Sequence, residues 1–360
     1  MRLFFLVFTL LPLIGQGYVM WRTWKMLPKK NLLRWGAILA ELAAFCLFIL
    51  YMAGNRDTWP LWLSSFMYEV GTGYLVVLLY LLLIFVVLDI LRLIRVLPKH
   101  IFYNNAKTSL IIALALLVVL VYGNVHYHNK QRVELSYTSE KVTKPLKLVM
   151  VSDLHLGYHN VRKDLKKWIK LINDENPDLV LIAGDLIDGS IRPVNEEQMY
   201  EEFKALKAPV YACLGNHDYM TGTSQDMEFC QKAGIHVLVD SVAYVGDLAL
   251  VSRDDRTNRE RKSLKDIMQG IDRSKYIIEL DHQPYNLEEA EQNGVDLELA
   301  GHTHDGQIWP IKWITRSMYE CSYGSWKREN TQYYISSGLG IWGPEFRIGT
   351  DSEYVVINLK

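Results

Sequence analysis

The chain has 360 residues, a formal net charge of -1 and a composition that is half hydrophobic. A charge so close to zero excludes a global electrostatic pull toward nucleic acid, and the length allows two domains. The average conceals a division, because Leu, Val, Ile, Phe and Trp dominate to about residue 126 while the sequence beyond about residue 145 is mixed and polar.

The runs Leu3–Trp21, Val70–Leu88 and Thr108–His126 carry no charge, and Trp35–Asn55 carries only Glu41. Each run approaches the ~20 residues that a helix needs to cross a hydrocarbon core. A backbone in lipid must satisfy its own hydrogen bonds, so a four-helix transmembrane region over residues 1–127 is predicted, kinked in its first helix at Pro12. Arg2 ahead of an apolar run would also suit a signal peptide, but no small-x-small cleavage site is clear and three more spans follow. Basic residues crowd the connection after the first span (Arg22, Lys25, Lys29, Lys30, Arg34) and after the third (Arg92, Arg95, Lys99, Lys107). The second connection has only Arg56, amid Trp59, Trp62, Phe66 and Tyr68. Basic connections stay cytoplasmic. A multi-pass inner (plasma) membrane protein is therefore predicted, with the lipid bilayer as a partner and the following domain on the outer face. Lys130 and Arg132 argue the other way. Glu41 is expected to face a neighbouring helix or water, as a helix–helix hydrogen bond or as part of a polar site.

Residues 128–145 are polar and read as a linker, and residues 146–360 as a catalytic domain. Short apolar runs, Leu148–Val151 in "KLVMVSDLHLG", "DLVLIAGDLIDG", "PVYACLGNHD", "YIIELDHQP" and "LELAGHTH", read as strands. Helical segments fall near 196–206, 224–233, 262–269 and 286–292, so an α/β fold is predicted. Ligands of such sheets gather beyond the carboxyl ends of the strands, and the polar residues gather there too. Asp153 and His155 follow the first strand, Asp185 and Asp188 the second, and Asn216, His217 and Asp218 the third; His282 follows a later one, and His302 and His304 the last. If the last segment stays extended, side chains at i and i+2 point one way at a separation of ~6.6 Å. That span suits one ligand on each of two ions, and paired catalytic metals lie ~3.5–4 Å apart. His126 and His128 share the spacing without the strand and glycine, and read as interfacial, while His100, His159 and His236 read as structural. The four cysteines lack C-x-x-C spacing and read as free thiols, with a Cys213–Cys230 disulfide as the alternative.

The motifs "DLH" (153–155), "GDLID" (184–188), "GNHD" (215–218), "LDHQP" around His282 and "GHTH" (301–304) resemble those of the calcineurin-like metallophosphoesterases. The ending "YYISSGLGIWGPEFRIG" resembles the bacterial branch that includes membrane-attached enzymes, and Asp305 stands where that branch often has a second glycine. The resemblance covers residues 146–360. It implies a four-layer α/β/β/α sandwich and two divalent metal ions, for which a mixed N and O donor set suits Mn, Fe or Zn. By motif, Asp153, His155, Asp185 and His304 would hold one ion, and Asp185, Asn216, His282 and His302 the other. Asp185 would bridge them. The resemblance further implies attack on phosphorus by a metal-bridging hydroxide. His217 would protonate the leaving group or bind the phosphoryl oxygen, with Asp188 orienting it. Asp218 would support a ligand histidine or act directly.

"RDDR" (253–256) reads as a solvated hairpin or as a phosphate contact. Residues 307–330 interleave Trp309, Trp313, Tyr319, Tyr323 and Trp326 with Lys312, Arg316, Lys327 and Arg328. They read as a hairpin with its rings packed on the domain, or as a segment that meets lipid. The expected function is metal-dependent hydrolysis of a phosphoester or pyrophosphate bond, in a lipid-linked or envelope substrate. The alternatives are a nucleotide phosphodiesterase or nuclease, against which the lack of a long basic stripe argues, and a non-catalytic phosphate-binding membrane receptor.

Overall fold

A computed structural model describes residues 2–360, with side chains from Leu11 onward. The chain divides into two compact units, residues up to Asn124 with Gly343–Glu345, and Val125–Trp342 with Phe346–Lys360. The first unit holds helices α1 (Arg2–Met26), α2 (Asn31–Ala53), α3 (Leu61–Leu93) and α4 (Ala106–His128), the last of which runs on into the second unit. Among the described residues α2, α3 and α4 are long and apolar enough to cross a membrane. They contain three of the four expected spans. The fourth, Leu3–Trp21, lies in α1, part of whose side chains fall outside the described residues. Glu41 accepts a hydrogen bond from the Thr23 hydroxyl of α1 at 2.8 Å, so it makes a helix–helix contact. Such a bond substitutes for the water that an intramembrane carboxyl lacks.

Residues 128–145 were expected to be a linker, and they are not one. Only Asn129 and Lys130 separate α4 from strand β1 (Gln131–Tyr137), which pairs in parallel with β12 (Glu353–Leu359) along its whole length. β1 alternates half-buried and exposed residues, the period of an edge strand with one wet face. Its charges, Arg132 and Glu134, sit on the wet face and hide the strand in a composition reading.

The rest of the second unit runs β2 (Leu146–Val151), α5 (Arg162–Asp174), β3 (Leu179–Ala183), α6 (Ile191–Glu196), α7 (Tyr200–Phe203), β4 (Val210–Cys213), α8 (Asn216–Thr221), α9 (Thr223–Ala233) and β5 (Ile235–Val237). It continues with β6 (Ser241–Val245), β7 (Leu248–Ser252), α10 (Leu264–Ile267), β8 (Tyr276–Leu280), α11 (Glu288–Asn293), β9 (Leu297–Ala300), α12 (Ile311–Met318), β10 (Gly324–Arg328) and β11 (Thr331–Ile335). Two mixed sheets form, in the orders β1-β12-β2-β3-β4-β5 and β10-β11-β9-β8-β7-β6. The pleat sorts the side chains. Leu148, Met150, Leu181, Leu250, Ile278 and Leu299 fill the space between the sheets. Val149, Val151, Val180 and Ile182 point outward beneath Leu165, Trp168 and Ile172 of α5. Ala249, Val251 and Ile277 do the same beneath Leu264 and Ala290 of α10 and α11. This is the expected α/β/β/α sandwich. It places the carboxyl ends of β2, β3, β4, β8 and β9 around one region.

"RDDR" is not a solvated hairpin, since Arg253, Asp254 and Asp255 are buried. The hairpin lies upstream in β6 and β7, and β7 is an inner strand buried along its length. Arg253 pairs with Glu289 at 2.8 Å. All four cysteines are free thiols.

Glu279 and Glu298 are buried neighbours in the β8–β9 register, on the face beneath α10 and α11. Burial first, then Asp281 and Glu289, raise Glu279 from the usual 4.5 to about 8, against the opposing charges of Arg253 and Arg261. A raised acid favours the folded state while protonated, so this contribution is full below pH 4.5 and is lost as pH rises through about 8. Glu279→Gln should therefore flatten the fall in melting temperature between pH 5 and pH 8.5, measured by calorimetry. An unchanged slope would contradict the assignment.

Candidate metal centre

Each candidate residue sits in the turn that leaves a strand. The backbone there is unusual, because Asp153, His155, Asp185, His302 and His304 have φ of 53°, 45°, 53°, 70° and 50°. Non-glycine residues pay for left-handed φ, and a cluster of them persists only where neighbours fix it. The neighbours are present. Buried Asp218 accepts the backbone N–H groups of Asp185, Leu186, Ile187 and Gly215 at 3.0, 2.9, 3.1 and 2.7 Å. Asn160 Nδ2 donates to the carbonyls of Leu154 and His155. Arg347, fully buried, donates to His304 O at 2.7 Å and Ser352 Oγ at 3.1 Å. Asp218 thus supports the site through backbone amides rather than through a ligand histidine. Arg347 and Asn160 escaped the sequence reading, because their role lies in bonds to distant carbonyls that no local pattern records.

These turns bring the side chains together in two separate groups, which a third one links. Asp153, His155 and His304 form one, Asp185, His282 and His302 the other, and within each group the ligand atoms lie within 4.8 Å of one another. A third such group joins Asp185 to His155 and His217. Asp185 stands between, with its Oδ2 at 3.6 Å from His155 Nε2 and 3.1 Å from His282 Nε2. His155 Nε2 faces His304 Nε2 at 3.1 Å. Asn216, at the start of α8, has a buried Oδ1 with no hydrogen-bond partner. A buried acceptor left alone is costly. Facing imidazoles, shared carboxylates and an orphaned amide oxygen fit divalent cations, whose charge would satisfy all of them.

The expectation of an extended i, i+2 pair does not hold. His302 and His304 lie in a tight turn, with His304 opening a single 3-10 turn to Gly306. They still go to different groups. The turn, not strand pleating, aims them apart, and His302 N donates to both Asp153 carboxylate oxygens. Asp305 takes the place of a glycine at φ 48°, a conformation that Asp tolerates better than most residues.

The electrostatics of His302 and His304 agree with ligation. Burial, then the charge of His282, lowers His302 to about 4, and burial with His155 lowers His304, so both are neutral near pH 7. His282 donates Nδ1–H to Ala183 O at 2.8 Å, which aims Nε2 inward. Burial opposes a charge on His282, but Asp185 and Asp153 outweigh it and raise its pKa. His217 Nδ1 meets Asp188 Oδ1 at 2.7 Å. Burial disfavours its charge too, yet Asp185 and Asp188 raise it to about 9.

Comparison with known proteins places this geometry. The calcineurin-like phosphoesterase model matches residues 146–306. A metallophosphoesterase of Campylobacter jejuni is 32% identical over 268 residues, which cover 71% of each chain. One from Aquifex aeolicus is 30% identical over 64% of this chain and 92% of its own. The chain belongs to the calcineurin-like phosphoesterase family. A zebrafish transmembrane protein with a metallophosphoesterase domain is 30% identical over 88% of this chain and 76% of its own, more of this chain than residues from Val125 onward can supply. The protein is accordingly a metal-dependent phosphoester hydrolase associated with a membrane.

This calcineurin-like enzyme depends on bare backbone at its strand ends. A Cβ on Gly184, at φ 81°, would lie 2.5 Å from His282 Nδ1. Gly184→Ala should lower bound metal, read by elemental analysis, and cut kcat/KM at least ~10-fold, as expected when positioning slips by a fraction of an ångström. Far-UV circular dichroism should stay unchanged. Full metal content and activity would show that the turn has slack.

Proposed function

We propose that this membrane-anchored enzyme hydrolyses a phosphoester or pyrophosphate bond in a lipid-linked or envelope molecule, at the plasma membrane, with its catalytic unit on the outer face. Asp153, His155, Asp185 and His304 would hold one divalent ion, and Asp185, Asn216, His282 and His302 the other, drawn from Mn, Fe or Zn. The observation that carries this reading is the position of Asp185, a member of one group, 3.6 Å from His155 of the other and beside His217. A shared carboxylate offsets the repulsion between two dications while neutral imidazoles add no charge. Two such ions, when bound, lower the pKa of water and set positive charge against the phosphoryl oxygens.

The chain's own residues do the rest. His217 commits its Nδ1–H to the Asp188 carboxylate, which favours the protonated ring. Its Nε2–H is left to protonate the leaving oxygen. Asp185 Oδ1 accepts the His217 backbone N–H at 2.8 Å, so the acid is registered to the bridging carboxylate. Trp342 lies beside His217 with ring centroids 6.4 Å apart and covers one side of the approach. The basic connections after the first and third spans support the outer-face placement, because such loops stay cytoplasmic.

The test uses the full chain in lipid nanodiscs with Asp185→Asn as the blank. Turnover of lipid phosphoesters above the blank, absent for nucleotides, supports the reading. Turnover of nucleotides alone would replace it with the phosphodiesterase alternative, and no turnover of either would favour a phosphate receptor. Chelation should abolish activity, and add-back of Mn, Fe and Zn separately should rank the metals by recovered rate. His217→Ala should slow alkyl phosphoesters by ~10²–10⁴ and nitrophenyl esters far less, because only poor leaving groups need the proton. Equal losses on both would assign His217 to phosphoryl binding.

A further inference from the structure

The segment 307–330 divides into two kinds of aromatic residue. Trp326 packs on Tyr333, Tyr319 on Tyr285, and the Tyr323 hydroxyl donates to Glu353. Trp309 and Trp313 meet edge-on, 5.5 Å apart, and are 40% and 61% exposed. Trp313 belongs to α12, and α12 is built inside out. Its charged side faces the protein. Arg316 makes a two-pronged pair with buried Asp305 at 2.9 and 3.0 Å, Lys312 approaches the same carboxylate at 3.8 Å, and the Lys312–Thr315 side rests on Gly306. Its apolar side chains Ile311, Trp313, Ile314 and Met318 are all exposed, and the helix buries no residue. A helix on a water-soluble surface turns its apolar stripe inward. Here hydrogen bonds and ion pairs hold the stripe outward.

We propose that α12, with Trp309, is a bilayer-contact element that seats the mouth of the metal centre on the membrane surface. Lipid fits this face better than a protein partner. An eight-residue helix is ~12 Å long, and the patch it offers falls well short of the ~800 Å² per partner of a stable interface. A tethered domain needs no such area, because the tether already supplies a high local concentration. The tether is short, since Asn129 and Lys130 are all that separate α4 from β1. Residues 307–318 contain no acid, so nothing on this face repels an anionic lipid surface. The element is also joined to the site. Asp305, which holds Arg316, directly follows His304, and Gln307 Nε2 donates to the carbonyl of Trp342. The inference deepens the proposed function by naming the surface through which substrate arrives. It rests on that reading only for the presence of a bilayer.

Spin labelling tests it without using turnover. The full chain, with Cys46→Ser and Cys321→Ser and with Cys213 and Cys230 buried, carries one nitroxide at Ile314→Cys in nanodiscs of phosphatidylethanolamine and phosphatidylglycerol. A second preparation carries it at Lys232→Cys, an exposed position on α9. Collision with oxygen relative to a water-soluble nickel chelate should be several-fold higher at Ile314→Cys. Equal ratios would overturn the proposal, and so would dipolar broadening between labels, which would assign the face to a second copy. Trp313→Ser with Ile314→Ser should raise KM for a lipid phosphoester several-fold and leave kcat/KM for nitrophenyl phosphate unchanged. If the label is immersed but no lipid is hydrolysed, the substrate reading fails and the contact surface stands.

Discussion

The structure depends on one constraint, that a set of charged and imidazole side chains must converge with almost no water around Asp185. Asp153, His155, Asp185 and His282 are at most 1% exposed. Bare, such a cluster repels itself and leaves acceptors unsatisfied. Divalent ions resolve that conflict, and the scaffold supplies what they cannot. It holds five residues in left-handed backbone and ties those turns to Asp218, Asn160 and Arg347. Two sheets packed face to face give the rigidity for this, because the turns rest on strands whose inner residues are mostly buried.

Much of this was legible in the sequence, and for a physical reason. An inner strand buried on both faces is a continuous apolar run, and a run that breaks at glycine before Asp or His marks both the strand end and the site. β3 and β9 break in that way at Gly184 and Gly301, β4 breaks at Gly215 before Asn216, and β2 and β8 turn polar at Ser152 and Asp281 without a glycine. β1 does not give such a signal, because an edge strand needs only one apolar face and spends the other on charge. Nor does β12, whose pairing with β1 and β2 spans most of the domain. The residues that converge around Asp185 carry the motifs, but His302 and His304 lie in a tight turn and not in the expected extended segment. Turn conformation depends on Asp153 and Arg347, which sit far away in sequence.

Asp305 shows how a departure from a family pattern acquires meaning. As a substitution for glycine it suggests only a change of loop shape. In the fold it keeps the left-handed backbone and adds a buried carboxylate that Arg316 grips. One residue therefore connects the turn of His304 to an outward-facing apolar helix. A glycine at the same place would permit the turn and forgo the grip.

The pairing of β1 with β12 has a consequence for how the protein is made. β1 is the edge of its sheet and bonds to no other strand than β12, and β12 also lies between β1 and β2. Glu353 follows Tyr137 by more than two hundred residues. At typical synthesis rates that gap lasts ~10–40 s, long after the apolar helices have left the ribosome. Throughout that interval the emerging domain has a gap in its first sheet, between β1 and β2. Biogenesis is thus ordered in time: insertion comes first, and the hydrolase closes only when its final strand slots home.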